Sequence, residues 1–561
     1  MDKSIPDSVE VQVTDPPMER RHQIFPTLTE GQIETLSHYG ERRTFLTGEI
    51  LFREGDRHIP MYVIVSGEIV IERHGVHGPH HVVTDGPGVF TGEVGTLAGR
   101  AAIGTGRVSR DTEAIVIDEA SLRTLVIVEA ELSELIMRAY ILRRVAFIQD
   151  SDGGVVVIGS RHSSDTFRIR EFLGRNGQPV AYFDVDEHPG TADLLSRFDL
   201  SVSELPAVID PHGAVLKRPS NRAVADAIGL SPDALDGREF DLAVVGAGPA
   251  GLASAVYAAS EGLNVIVLDA KAPGGQAGTS SKIENYFGFP TGISGVALAG
   301  RGLSQARKFG AEVAVPIEVI HLACNSENGF DLTLDDEEHI HARSMVIATG
   351  ARYRKPALPN LEQFEGQGIY YGASFMEANL CAGEDAVVVG GGNSAGQAAV
   401  FLSGHARHVH VIVRSESLAA SMSHYLIQRI EATANITFLP GTEIVELVGA
   451  ERLEKIRWQT SGKPVEEMSI AHVFLFLGAE PNTKWLGDCV KLDRKGFVLT
   501  GPGIDAADWP LSRAPHLLET SRPGIFAVGD VRCGSVKRVA AAVGEGSVAV
   551  QALHAFLASV P

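Results

Sequence analysis

A chain of 561 residues exceeds what one hydrophobic core organises, so three or four domains are expected. Its 44% apolar content and 60 glycines suit nucleotide-binding α/β folds and exclude a fibrous or disordered protein, while a net charge of −21 excludes a nucleic-acid partner, which needs a basic face. Four scattered cysteines are too few for a disulfide framework, the first twenty residues hold no apolar signal core, and no apolar run approaches the roughly 20 residues that span a bilayer. The expectation is a cytoplasmic protein with no membrane partner.

In chain order, residues 1–22 carry prolines and charges without periodicity and read as a mobile tail. Thr29 is an N-cap candidate for a short helix through Ile33, Leu36 and Ser37. Short strands punctuated by glycine follow, at Ile50-Leu51-Phe52, Tyr62 to Val70, Val89-Phe90 and Ala114 to Ile117, which predicts a small β-barrel or jelly roll. Glu54-Gly55-Asp56, Val65-Ser66-Gly67 and Phe90-Thr91-Gly92-Glu93 resemble a cyclic nucleotide-binding domain, over residues 23–148. The resemblance implies that Glu93, after Gly92, accepts the ribose 2′-hydroxyl and that Arg100 pairs with the cyclic phosphate. The interval between them is a few residues shorter than in that family, so a ligand-binding barrel and a barrel that only docks both stay open. No basic recognition helix follows, which argues against a DNA-binding regulator. His74, His77, His80 and His81 share a hairpin with no carboxylate or cysteine close by, and no metal is expected there.

Residues 152–231 alternate strand and helix signals: Val155 to Ile158, Thr166 to Arg175, Val180 to Phe183, Thr191 to Phe198, then Leu205 to Ile209 and Gly213 to Leu216. This order resembles a thioredoxin or glutaredoxin fold, with Pro206 where that family has its cis-proline. Its active-site position reads Ser160-Arg161-His162-Ser163-Ser164 and holds no cysteine. Thiol–disulfide exchange needs a thiolate, which serine does not supply, so a docking or spacer unit is expected.

Phe240 to Val245 then forms a strand running into Gly246-Ala247-Gly248-Pro249-Ala250-Gly251, and Asp269 ends the next strand about 20 residues on. Such a loop lets the backbone approach a pyrophosphate at a helix N-terminus. A second loop, Gly390-Gly391-Gly392-Asn393-Ser394-Ala395, follows the strand Ala386 to Val389. Further segments are Gly274-Gly275-Gln276, Ile283-Glu284-Asn285-Tyr286, Ala348-Thr349-Gly350, Gly524 to Asp530 and Arg538-Val539-Ala540. In this order they resemble thioredoxin reductase across residues 238–561. The resemblance implies two Rossmann-like three-layer α/β domains, an FAD domain (238–357 and 481–561) interrupted by an NAD(P) domain (358–480). It places FAD on Gly246, Gly248, Gly251, Asp269, Gly275, Gln276, Asn285, Thr349, Gly350, Gly529, Asp530, Arg538 and Val539. It places NADPH on Gly390, Gly392, Asn393, Ser394, Ala395 and Arg414. Arg414 stands alone where the family has an arginine cluster, with Ala419 at the last position, so NADH stays open. A homodimer with a rotating NAD(P) domain is also implied.

One element of the family is missing. Its Cys-x-x-Cys begins seventeen residues before the second glycine loop, where this chain has Ala373 and Met376. Glu377 survives at the position of the family's proton donor, and either protonates an acceptor or caps a helix. Cys381 and Cys533 are the remaining redox candidates; Cys324 is expected to be buried and inert in a strand, and Cys489 to lie near the surface. Three functions stay open. The first is an FAD-dependent NAD(P)H oxidoreductase serving an external small-molecule or protein acceptor, gated by an N-terminal ligand. The second is a disulfide reductase using Cys381 or Cys533, and the third a sensor with structural FAD.

Overall fold

The computed structural model describes residues 24–559 apart from 76–77, 94–100, 103, 150–154, 188–190, 192–194, 197, 212, 325–328, 336 and 451. The tail at 1–22, Arg100, His77 and much of the helix expected from Thr191 to Phe198 therefore lie outside the described residues. Residues 1–153 and 154–561 form two compact units.

The first unit opens with α1 (Glu30–Ser37), closed by a capping box in which Thr29 and Gln32 satisfy each other's backbone amides. Strands β1 (Glu41–Phe45), β2 (Ile50–Phe52), β3 (Met61–Gly75), β4 (Gly78–Asp85), β5 (Phe90–Thr91) and β6 (Thr105–Ile117) build one antiparallel sheet. β3 pairs along β6, and β6 also carries β1 and β2. Met61, Val63, Phe90, Ile115 and Ile117 point from it onto Leu122 and Leu125 of α2 (Glu119–Val128) and Ile136 and Tyr140 of α3 (Ala130–Gln149). Burying such side chains, at roughly 1.5–3 kcal/mol each, is what holds two helices against a curled sheet.

The second unit begins with β7 (Val155–Gly159), α4 (Ser164–Arg175), β8 (Val180–Asp184), β9 (Ala207–Ile209), β10 (Val215–Lys217) and α5 (Asn221–Ala227). The sheet order is β10-β9-β7-β8, with β7 parallel to β8 and antiparallel to β9. The Leu205-Pro206 bond is cis, as the thioredoxin-like reading expects. Ser163 caps α4 by accepting from Thr166 N, and Asn176 and Gly177 end it.

The first flavoprotein segment contributes β11 (Arg238–Val245), α6 (Pro249–Ser260), β12 (Val265–Leu268), α7 (Gly295–Lys308), β13 (Glu312–Ala314), β14 (Val319–Ala323), β15 (Phe330–Leu334), β16 (His339–Ile347) and β17 (Ala351–Tyr353). The inserted domain follows with α8 (Leu361–Phe364), β18 (Ile369–Tyr370), α9 (Phe375–Leu380), β19 (Asp385–Val389), α10 (Asn393–Ser403), β20 (His408–Ile412), α11 (His424–Ala432) and β21 (Ile436–Leu439). A three-stranded ladder, β22 (Thr442–Val448), β23 (Lys455–Thr460) and β24 (Val465–Met468), precedes β25 (His472–Leu475) and β26 (Ala479–Pro481). The chain returns with β27 (Ile525–Ala527) and α12 (Val539–Leu557). β11, β12 and β16 run parallel, and β27 completes that sheet by pairing with Met345–Ile347 of β16. In the inserted domain β18-β25-β19-β20-β21 is a second parallel sheet. β17 and β26, the two crossings between these domains, pair with each other.

Two expectations need correction. Among the described residues, α12 is long and apolar enough to cross a membrane, at 19 residues. Its sequence escapes a scan for apolar runs because glycine, serine and glutamate interrupt it. Ala542, Gly546, Ala549, Val550 and Leu553 are nevertheless buried, and Ser254 Oγ of α6 donates to Gly546 O. The second correction concerns the thiols. Cys324 and Cys489, 165 residues apart, are joined in a disulfide with a Cα separation of 5.8 Å. Cys324 lies one residue beyond β14 among core side chains that Trp485, Cys489 and Leu492 pack against. The bond therefore ties the first flavoprotein segment to the second.

Candidate functional site

The first glycine loop is shaped by close backbone approach. Gly246 has φ +110°, and a Cβ there would stand 2.3 Å from Ala348 O; a Cβ on Gly251 would stand 1.9 Å from Gly246 O. Gly248, which caps α6, is open: a Cβ there would meet only Gly275 Cα, at 3.9 Å. Strand, loop and helix thus leave a cradle over the α6 N-terminus that admits a pyrophosphate. Asp269 Oδ2 accepts from Ala247 N at 2.8 Å, while Oδ1 accepts from Lys271 N and Ala272 N at 2.9 and 3.0 Å. The carboxylate therefore fixes the loop.

Around this cradle the remaining segments converge. Gln276 Nε2 donates to Ala351 O at 2.5 Å, tying the Gly274-Gly275 turn to the domain crossing. Asn285 is exposed on its loop. Thr349, beside Gly350, and Asn482 exchange hydrogen bonds, Oγ1 to O at 2.8 Å and Nδ2 to O at 2.9 Å. Burial raises the Asp530 carboxyl above the usual range, with Lys537 pulling the other way. Gly529 N donates to Glu545 Oε2 at 2.7 Å, and Arg532 pairs with the same carboxylate. Arg538 is the N-cap of α12 and Val539 its first residue, and the Arg538 amide donates to Val536 O at 2.7 Å. Asn482 and Glu545 escaped the sequence reading, because each acts by fixing backbone and belongs to no glycine motif. The cradle and this donor set fit FAD.

The second loop repeats the construction. Gly390 has φ +145°, with Phe476 O 2.6 Å from a Cβ placed there, whereas Gly392 caps α10 with nothing within 4 Å of its Cβ position. Asn393 Oδ1 accepts from Ser423 N at 2.7 Å, and Ala395 is buried under the loop. Ser394 takes a hydrogen bond with the hydroxyl of the half-buried Tyr353, and the Tyr353 ring stands edge-on to Phe476 at 5.3 Å. Arg414 is exposed two residues beyond β20. A nicotinamide cofactor fits this loop, with Arg414 as the cation available to a 2′-phosphate.

Ala373 is buried in a cluster with Tyr370, Ala378 and Cys381. The Glu377 carboxylate accepts from Ser374 N at 2.8 Å and from Ser374 Oγ, the arrangement that caps α9. Burial raises its pKa, and the Ser374 hydrogen bonds oppose that rise. Cys381 is fully buried, and desolvation pushes its thiol up to about 11. Cys533 is half-buried, and burial with Asp493 at 3.4 Å also raises its thiol.

In the first unit, Glu93 is buried and Arg143 of α3 holds it, Nη1 to Oε1 at 2.7 Å. The same guanidinium donates to Ile24 O and Phe90 O, both at 2.9 Å. Glu93 Oε2 is buried with no hydrogen-bond partner among the described residues. The left-handed turn at Gly92, φ +92°, sets this geometry beside Pro60.

Family comparison agrees with this geometry. The pyridine nucleotide-disulphide oxidoreductase family matches residues 240–546, more than half of the chain, and the cyclic nucleotide-binding domain matches 42–127. A thioredoxin reductase of Mycoplasmopsis pulmonis is 32% identical over 311 residues, covering 55% of this chain and 95% of that protein. The NADPH-dependent thioredoxin reductase 3 of Arabidopsis thaliana is 32% identical over 328 residues, covering 57% and 58%. Among solved structures, the thioredoxin reductases of Lactococcus lactis (FR conformation) and T. acidophilum each align with TM-score 0.52. Their identities are 26% and 29%, and they cover 57% and 58% of this chain and 99% and 100% of theirs. Thioredoxin reductases use FAD and NADPH, the two groups for which the loops above are shaped. The chain belongs to the pyridine nucleotide-disulphide oxidoreductase family, as a thioredoxin reductase-class FAD oxidoreductase joined to a cyclic nucleotide-binding domain.

Proposed function

We propose that this chain takes electrons from NADPH and passes them from the flavin to an acceptor outside the protein, with no internal dithiol in the path. Bound FAD and NADPH would supply the hydride chemistry; the protein supplies binding, exclusion of water and alignment. The observation that carries the reading is the chemistry at 373–381. Ala373 replaces the first thiol of the class and Met376 the second. The nearest remaining thiol, Cys381, titrates near 11, so about one part in ten thousand is thiolate at neutral pH. Glu377 is committed to α9 as its cap. Cys324 and Cys489 sit within an apolar cluster of the flavoprotein core, as a staple.

Anaerobic titration with NADPH, and separately NADH, tests the reading through bleaching of the flavin band. Complete bleaching at two electrons per FAD is expected, preserved in Cys381→Ser and Cys533→Ser. Uptake beyond two electrons that disappears in either variant would establish a thiol couple instead. Flavin that dithionite reduces but neither nucleotide does would overturn the enzymatic reading in favour of a sensor.

The second part of the proposal is that a ligand of the N-terminal domain adjusts flavin reduction. Glu93 Oε2, buried and without a hydrogen-bond partner among the described residues, supports it, since a ribose hydroxyl would satisfy that oxygen. Stopped-flow reduction with saturating cyclic AMP or cyclic GMP should differ by threefold or more from the rate without them; equal rates refute this part.

A further inference from the structure

The thioredoxin-like segment touches both nucleotide-binding domains through one helix. At the C-terminal end of α4, Arg175 Nη2 donates to Gly275 O at 2.8 Å. Asn176, only 1% exposed, donates through Nδ2 to Lys271 O at 3.0 Å. Both carbonyls belong to the stretch between Asp269 and Gln276, the wall of the FAD cradle. At the N-terminal end, Phe167 packs its ring 6.1 Å from Tyr370 of the inserted domain. Ser164 lies so near Gly366 that a Cβ on the glycine would stand 3.0 Å from the serine Cβ. Beside this contact, Arg161, His162, Tyr370, Leu380, Arg452 and His472 line a cavity of about 310 Å³.

The face that α4 covers is the one carrying α9. Leu380, the last residue of α9, lines that cavity with Tyr370, and Glu171 of α4 is near enough to Glu377 to raise its pKa. In thioredoxin reductase the N-terminus of the corresponding helix bears the dithiol that meets a protein disulfide. A 12-residue helix, about 18 Å long, here rests one end on the flavoprotein domain and the other on the inserted domain.

We propose that the thioredoxin-like segment is a clamp built into the chain, occupying the protein-docking face of α9 and excluding a protein disulfide as acceptor. The acceptor is then a small molecule. This rests on the external-acceptor reading above and narrows it.

The test restores the missing dithiol in the full chain, Ala373→Cys with Met376→Cys, and supplies NADPH with either oxidised thioredoxin or the small disulfide DTNB. The restored chain should reduce DTNB at least 50-fold faster than thioredoxin. Adding Phe167→Ala and Arg175→Ala should raise the thioredoxin-to-DTNB ratio at least tenfold. Comparable turnover of both disulfides before the clamp is loosened overturns the proposal, as does a ratio unmoved by loosening. Hydrogen exchange keeps the proposal open to refutation if the restored dithiol fails to form. Amides of residues 373–380 in the otherwise unaltered chain should exchange at least tenfold faster after Phe167→Ala and Arg175→Ala, and unchanged exchange overturns it. The exchange readout does not depend on NADPH reducing the flavin, so failure of the clamp and failure of the proposed function are told apart.

Discussion

Asp85 illustrates how one buried carboxyl writes a pH dependence into a domain. It is 2% exposed, and burial pushes its pKa up to about 7, against the pull of Arg143 and with the added push of Glu93. A folded-state value above the unfolded one means that the native domain binds the extra proton between about pH 4 and 7. Stability therefore falls as pH rises through that window, by roughly 2–4 kcal/mol. Asp85→Asn should flatten this slope and raise the melting temperature of the first unit at pH 8, read by calorimetry at pH 5 and pH 8. An equally steep slope in the variant would assign the dependence elsewhere. At the same scale, Gly246→Ala should lose FAD. Its Cβ would collide with Ala348 O at 2.3 Å, and the flavin absorbance of the purified protein reports the loss directly. Gly246 and Asp269 were legible in the sequence because their chemistry is local: a glycine that must turn, an acid at a strand end. Arg143 was not legible, because it meets Glu93 from a helix fifty residues later and nothing in the spacing marks the pair.

Elements were legible where caps and periodicity agree. Thr29 opens α1, α4 ends at Arg175, and Pro206 takes the cis form beside β9. α12 was overlooked as an apolar helix because its composition is broken by Gly544, Glu545 and Gly546, and two of these serve packing and the site. Gly546 brings α12 close to α6: a Cβ there would stand 2.4 Å from Ala250 O. Gly546→Ala should force the helices apart and destabilise the protein by about 1–3 kcal/mol, measured as a lower midpoint in urea. Since Glu545 holds the Gly529 amide, the same variant should weaken FAD retention on dialysis. Unaltered stability would mean that the two helices separate without cost.

For the whole molecule, the two family matches, at 42–127 and 240–546, lie in the order the motifs set, and the sheets around β11 and β19 have parallel cores. The disulfide did not follow, because Cys324 and Cys489 are brought together only when both flavoprotein segments have folded around the same core. A bond closing so long a loop stabilises by about 2–5 kcal/mol. Cys324→Ser with Cys489→Ser should lower the melting temperature by several degrees, leaving NADPH bleaching of the flavin intact. A dithiol count of zero on the denatured, unreduced protein at those two positions checks that the bond is present. Docking of the thioredoxin-like segment was equally hidden: Arg175 and Asn176 look like ordinary helix-end residues until Lys271 and Gly275 are placed beside them.

The return of the chain to β16 has a consequence for synthesis. Met345–Ile347 pair with Ala243–Val245 on one side and gain their second partner only when Ile525–Ala527 arrives. At about 5–20 residues per second, the ribosome makes the intervening stretch in roughly 10–40 s. During that interval the nascent flavoprotein sheet presents a bare strand edge, the kind of surface that recruits other chains. The inserted domain carries its own parallel sheet and can fold while it waits, so a ribosome stalled between the two segments would release an aggregation-prone product with one finished domain and one open edge.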